Sequence, residues 1–248
     1  MSKSLRALRN FALILPVLSL ATAPALQAAP AKGKRPVAAK RGSAAGPIAP
    51  AADPNTPWLY RGSDIPHDKE WQFGELPNGV RYVVRKNGVP PGQVSIRIRM
   101  DVGSLYESEQ ERGFSHLLEH MVFRQSRYLG EGEAIPTWQR MGATFGSDTN
   151  AETSPVSTTY KLDLPNATEA SLDESMKLLS GMMIAPVINE KNVRTDVPIV
   201  LAEMRERGGT ATRIFEQTQQ TLFAGQKLAV RPVIGTAATL NAANAASV

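Results

Sequence analysis

Regular alternation of apolar and polar positions begins near Trp71. Trp71–Leu76 and Val80–Arg85 read as two short extended runs around Pro77-Asn78-Gly79, a composition suited to a hairpin turn. Gln93–Val102 alternates with period two. Val94, Ile96, Ile98 and Met100 should face a core while Ser95, Arg97 and Arg99 face water. The period then lengthens. Phe114–Phe123 carries Leu117, Leu118, Met121 and Val122 at helical spacing, and Ile135–Met141 suits a short helix closed by Gly142. Thr149–Thr153 and Val156–Leu164 predict strands bounded by Pro155 and Pro165. Thr168–Met183 predicts an amphipathic helix with Leu172, Met176, Leu179 and Met183 on its inner face. Glu190–Arg207 predicts a helix despite Pro198, ended by Gly208-Gly209, and Ile214–Phe223 another. Thr239–Val248 looks like the start of a further helix, which suggests a chain cut short at its C-terminus. Early hairpin-like strands followed by mixed helices and strands make the expected class α+β, a mainly antiparallel sheet packed with helices.

The first 57 residues follow other rules. Lys3, Arg6 and Arg9 precede an apolar stretch, Phe11–Leu20, and then small residues up to Ala28-Ala29. That order predicts a secretory signal peptide over 1–28. The apolar run is too short for a span of about 20 residues, so no membrane span is expected once the signal is cleaved. Residues 29–57 are rich in Ala, Pro and Lys and lack the large apolar side chains needed to offset ordering entropy, so a disordered linker is expected. Residues 58–248 then form the folded domain. The net charge of +5 belongs to the leader. Residues 1–44 hold eight basic residues and no acidic one, leaving twenty basic against 23 acidic residues beyond them. With no basic face in the body, a nucleic-acid partner is not expected. The absence of cysteine excludes disulfides, a thiolate metal site and a lipid anchor on an N-terminal Cys.

The chain has three histidines, His67, His116 and His120, and two of them lie in His116-Leu117-Leu118-Glu119-His120. Residues four apart share a helix face, so both imidazoles can approach one ion, with Glu119 bordering that face. Catalytic zinc sites combine three protein ligands of this kind with one open position, and a neighbouring carboxylate can take a proton from water. The order His-x-x-Glu-His is the inverzincin motif. A core or surface histidine pair is the plain alternative. For a third ligand, Glu203 follows the apolar run Ile199–Ala202 and should face inward, where a carboxylate needs a partner. Glu206 is its rival, better read as a solvated charge between Arg205 and Arg207. Asp196, two turns before Glu203, either orients a ligating histidine or is a surface acid near Arg194.

From about Gly74 to Thr236 the chain resembles the pitrilysin/insulinase family of zinc metallopeptidases. The resemblance is carried by Asp101-Val102-Gly103-Ser104 with Glu107, by Gly113–Phe123, by Gly146–Thr153 and by Arg194–Glu206. It implies the N-terminal catalytic half of such an enzyme, with one Zn2+ held by His116, His120 and Glu203 and with Glu119 as general base. It also implies that Asn150 and Ala151 lie on a strand that pairs with substrate backbone, where the alternative is an ordinary edge strand. Family members close two similar halves around a peptide. A homologous second half is therefore expected, in a longer chain or as a partner subunit, and the fragment alone is a poor enzyme. Three departures stand out. Eighty-two residues separate His120 from Glu203, somewhat more than is usual for the family. Asp196 occupies a position where the family often has Glu, and Arg124-Gln125-Ser126 replaces the common Lys-Gly-Thr.

The expected function is that of a zinc endopeptidase acting on peptides or small unfolded proteins in the periplasm, with secretion beyond the cell as the other destination. Its rivals are a non-catalytic structural subunit of the same fold and a periplasmic zinc-binding protein. The joint presence of His116, Glu119, His120 and Glu203 disfavours the first. The lack of a His-rich tract disfavours the second.

Overall fold

The computed structural model describes residues 64–66 and 68–248. The signal peptide and linker expected over 1–57 lie outside the described residues, as do Trp58 and His67. The chain divides into two compact units, Met1–Asn87 and Gly88–Val248.

The described part of the first unit is a hairpin. β1 (Trp71–Glu75) pairs antiparallel with β2 (Arg81–Arg85), in a register that sets Phe73 opposite Val83. Asn78 accepts the Val80 N–H through its side chain, and Gly79 takes φ +85°, where a β-carbon would be strained.

The second unit is α+β. β3 (Val94–Met100), β4 (Thr149–Thr153) and β5 (Thr158–Leu164) form an antiparallel sheet in the order β3-β5-β4. Along β3 the expected alternation holds from Val94 to Arg99, and Met100 turns out to be exposed. The fifth strand starts two residues later than its composition suggests. Ser154 accepts the N–H groups of Val156 and Ser157 through its hydroxyl, and this turn competes with strand pairing there.

Six helices follow the expected order: α1 (Phe114–Arg124), α2 (Ala134–Arg140), α3 (Glu169–Ile184), α4 (Glu190–Arg207), α5 (Thr210–Leu222) and α6 (Ala237–Ala242). Two expectations need correction. The inner face of α3 runs through Ser175, Leu178, Leu179 and Met182, while Met176 is half exposed. The small residues explain the rotation. Ser175 packs its hydroxyl on the Met141 sulfur, and a β-carbon at Gly181 would lie 2.6 Å from the Tyr128 ring, so this side of α3 approaches its neighbours most closely. The last helix also stops at Ala242, because Asn244 accepts the N–H groups of Ala246 and Ser247 and closes a turn.

α1 lies between two apolar clusters. Val122 joins Trp138, Tyr160, Leu162, Leu164, Leu178, Leu179 and Met182 between the sheet, α2 and α3. Leu117 and Met121 join Val193, Val197, Val200 and Leu240 against α4 and α6. Both Leu117 and Met121 are fully buried, worth about 1.5–3 kcal/mol each on removal from water. The polar residues of α1 are therefore carried on a helix whose rotation is fixed from two sides. Its start is fixed as well. Glu107 accepts the N–H groups of Gly113 and Ser115, two donors that the first turn cannot satisfy internally. Gly113, at φ +93°, lets the helix start against Gly235, where a β-carbon would meet Arg112 O at 2.3 Å.

α4 presents Asn192, Val193, Asp196, Val197 and Val200 inward and Pro198 outward, so the hydrogen bond that proline removes lies on the solvent side. Glu203 continues the inward stripe three residues after Val200. α5 buries none of its residues, and Ile214, Phe215 and Leu222 are each more than 60% exposed.

Candidate metal and catalytic centre

The stripe on α4 delivers Glu203 to the face of α1 that carries the two imidazoles. Glu203 Oε2 lies 3.6 Å from His116 Nε2 and 3.5 Å from His120 Nε2. The imidazole centroids are 4.8 Å apart with the rings nearly perpendicular. Among the described residues these three side chains form the group whose potential ligand atoms all lie within 4.8 Å of one another. Four ligands arranged tetrahedrally at about 2.0–2.1 Å from zinc stand roughly 3.3–3.4 Å apart. Two imidazole nitrogens and one carboxylate, with the carboxylate oxygen 3.5 and 3.6 Å from the nitrogens and all three ligand atoms within 4.8 Å of one another, are a donor set that suits zinc. Glu206 is exposed and is not part of this group.

Charge and burial act unequally on the four groups. Burial, reinforced by His120, pushes His116 down to about 4, with Glu203 only partly offsetting it, so its imidazole is neutral at ordinary pH. For His120 burial alone would do the same, but the hydrogen bond it donates to Glu203 and the charges of Glu119, Glu203 and Asp196 outweigh it and raise the value. Burial would raise Glu203, yet His120, His116 and Arg207 together hold it below the usual carboxylate range. Glu119 is raised, chiefly by burial.

Glu119 sits between His116 and His120 on α1, and Thr153 at the end of β4 donates its hydroxyl hydrogen to Glu119 Oε2. Thr153 is a contact that sequence reasoning missed. It lies 34 residues from Glu119, and no periodic signal links the two. Asp196 is buried, and both of its oxygens are bound by Arg124, with Nε and Nη2 at 2.6 and 2.5 Å. Its hydrogen bonds go to Arg124 and not to an imidazole, its charge helps to raise His120, and it is not a surface acid. It joins α4 to α1 four residues beyond His120. Asn150 and Ala151 lie on β4, an edge of the sheet. There the Asn150 side-chain carbonyl accepts the Ala151 N–H at 2.9 Å.

The model of the insulinase family (peptidase family M16) matches residues 82–236, and the chain belongs to that family. It is 30% identical over 177 residues to a probable zinc protease PqqL of Haemophilus influenzae, covering 71% of this chain and 19% of that protein. The crystal structure of the periplasmic protease PqqL from Escherichia coli superposes with a TM-score of 0.70 at 28% identity, covering 73% of this chain and 20% of that one. A structure of the first half of the same protein matches equally well, with a TM-score of 0.70 at 28% identity over 74% of this chain and 39% of that one. The match is thus to the N-terminal half, and the chain spans about one fifth of the length of these full-length relatives. Among the described residues no helix is long and apolar enough to cross a membrane.

Proposed function

We propose that the chain is the metal-binding half of an exported zinc endopeptidase. His116, His120 and Glu203 hold the metal, and Glu119 is the general base. The observation that carries this reading is the convergence of one carboxylate and two imidazole ligand atoms within 4.8 Å, beside a second carboxylate already held in place. Zinc bound there would polarise a peptide carbonyl and make water a usable nucleophile near neutral pH. Glu119 takes a proton from the attacking water and passes it to the leaving amine. β4 offers an edge on which an extended peptide can add as a further strand at Asn150 and Ala151, recognised through its backbone. Peptides or small unfolded proteins are the substrates that such an edge admits. A homologous second half, in a longer chain or as a partner subunit, completes the enclosure, in keeping with the greater length of the relatives. Residues 1–28 are proposed as the export signal, 29–57 as a linker and 58–248 as the metallopeptidase domain. The periplasm is proposed as the destination, in keeping with the Escherichia coli neighbour.

The test combines zinc content by elemental mass spectrometry with hydrolysis of an unfolded peptide. One zinc per chain is expected in the wild type and in Glu119→Gln, and little in Glu203→Ala. Cleavage should fall by about 10²–10⁴ in Glu119→Gln, the contribution typical of a positioned base. Wild-type cleavage by Glu119→Gln rejects the base. Zinc undiminished in Glu203→Ala rejects the ligand set.

A further inference from the structure

The two oxygens of Glu203 have different occupants. Oε2 faces both imidazole nitrogens, at 3.6 and 3.5 Å. Oε1 is paired with Arg207, whose Nη2 lies 2.5 Å away. Glu203 and Arg207 stand one helical turn apart on α4, with the acid N-terminal to the base, the order that favours such a pair. Arg207 occupies the last turn of the helix, where a cation is also favoured by the backbone carbonyls. Its side chain is 57% exposed while that of Glu203 is 22% exposed, so the guanidinium reaches inward from the surface to a partly buried acceptor. As a surface ion pair this contact contributes little to stability. Its geometric effect is larger. A carboxylate free to rotate can meet a metal through both oxygens and so fill a position that a hydrolytic zinc site keeps open.

We propose that Arg207 is a positioning residue for the third ligand. By holding Glu203 Oε1, it restricts Glu203 to ligation through Oε2 and keeps the fourth coordination position open. This rests on the reading of His116, His120 and Glu203 as the metal ligands. It differs from a simple charge effect, because a cation near the site repels a divalent ion wherever it stands, whereas only a group bonded to Oε1 sets how the carboxylate binds. Arg205, an exposed cation two residues away on the same helix, separates the two.

Cobalt(II), whose visible absorption is strong in four-coordinate sites and weak in five-coordinate ones, is the probe. It would be titrated into the full metal-free chain and into Arg207→Ala, Arg207→Met and Arg205→Ala. Arg207→Met keeps the aliphatic stem should the alanine variant lose its helix, and circular dichroism monitors folding. The expected result is a strong four-coordinate spectrum in the wild type and in Arg205→Ala, with a loss of intensity in both Arg207 variants. An unchanged spectrum in the Arg207 variants, an equal loss in Arg205→Ala, or a weak five-coordinate spectrum in the wild type overturns the inference while leaving the ligand set standing. No cobalt bound by the wild type overturns the ligand set and the inference with it.

Discussion

Thr153 closes the edge strand β4 and gives its hydroxyl hydrogen to Glu119 Oε2, so one residue joins the proposed peptide-binding edge to the proposed base. It is itself held from behind, since Thr158, opposite it in the β4–β5 register, lies within hydrogen-bonding reach and donates to the Val102 carbonyl. Removing the Thr153 hydroxyl takes away the hydrogen bond that opposes the effect of burial on Glu119 and leaves its carboxyl close to the site and free to swing. Thr153→Val, which keeps shape and strand propensity, should lower kcat on the order of tenfold to a hundredfold, the scale of a misplaced reacting group. Zinc content and KM should stay near wild type, and Thr153→Ser should restore most of the rate. Peptide hydrolysis beside elemental analysis of the three proteins measures this. A parallel loss of zinc in Thr153→Val would mean that the residue supports the fold of the site and not the aim of Glu119.

At the scale of elements, the centre exists because α1 and α4 meet along one apolar seam and one ion pair. The seam sets the distance between the helices through Leu117, Met121, Val197 and Val200. The pair between Arg124 and Asp196 sets how they slide, because a guanidinium bound through two nitrogens tolerates little displacement. The Arg124 side chain is 16% exposed and that of Asp196 4% exposed, so losing Arg124 strands the Asp196 charge out of water, and losing Asp196 leaves the guanidinium only the more distant Glu131, 3.9 Å away. Asp196→Ala should destabilise the chain by about 2–4 kcal/mol, somewhat below the loss for a fully buried pair. The double variant Arg124→Met, Asp196→Leu should recover much of that loss in urea unfolding yet still bind zinc more weakly than wild type. Full recovery of zinc affinity in the double variant would assign the alignment to the apolar seam alone. Much of this layout was legible in the chain. His116 and His120 are local partners on a single helix, and Glu203 declared itself by ending an apolar run. The partners of Asp196, Glu107 and Thr153 were not legible, because each spans a gap or a strand register that no short periodicity encodes. The inner face of α3 was misplaced for a related reason. Large apolar residues suggested it, whereas Ser175 and Gly181, by being small, decided it.

Across the whole molecule, the proposed metal centre and the sheet respond to acid through different groups, and only one of them is independent of metal. On the sheet, Asp163 at the end of β5 lies diagonally across from Arg97 on β3 and accepts both of its terminal nitrogens, at 2.8 and 3.2 Å, while Lys161 stands 3.1 Å away. Burial would raise the Asp163 carboxyl, but the hydrogen bonds of Arg97, Ser95 and Lys161 prevail and bring it down to about 2. A carboxyl whose value is lower folded than unfolded adds stability above its unfolded value near 4, and that contribution disappears as pH falls toward 2. Arg97 is half exposed, so solvent screening reduces the contribution to about 1–2 kcal/mol. The comparison is made on metal-free protein, because protonation of the proposed ligands would otherwise release any bound zinc in the same range and add its own loss of stability. Urea unfolding of wild type and Asp163→Asn should differ by a constant amount from pH 5 to 7, and the two curves should converge between about pH 4 and pH 2. A difference that persists undiminished at pH 2 would place the contribution of Asp163 in its neutral hydrogen bonds. A difference that grows on acidification would contradict the assigned ion pair.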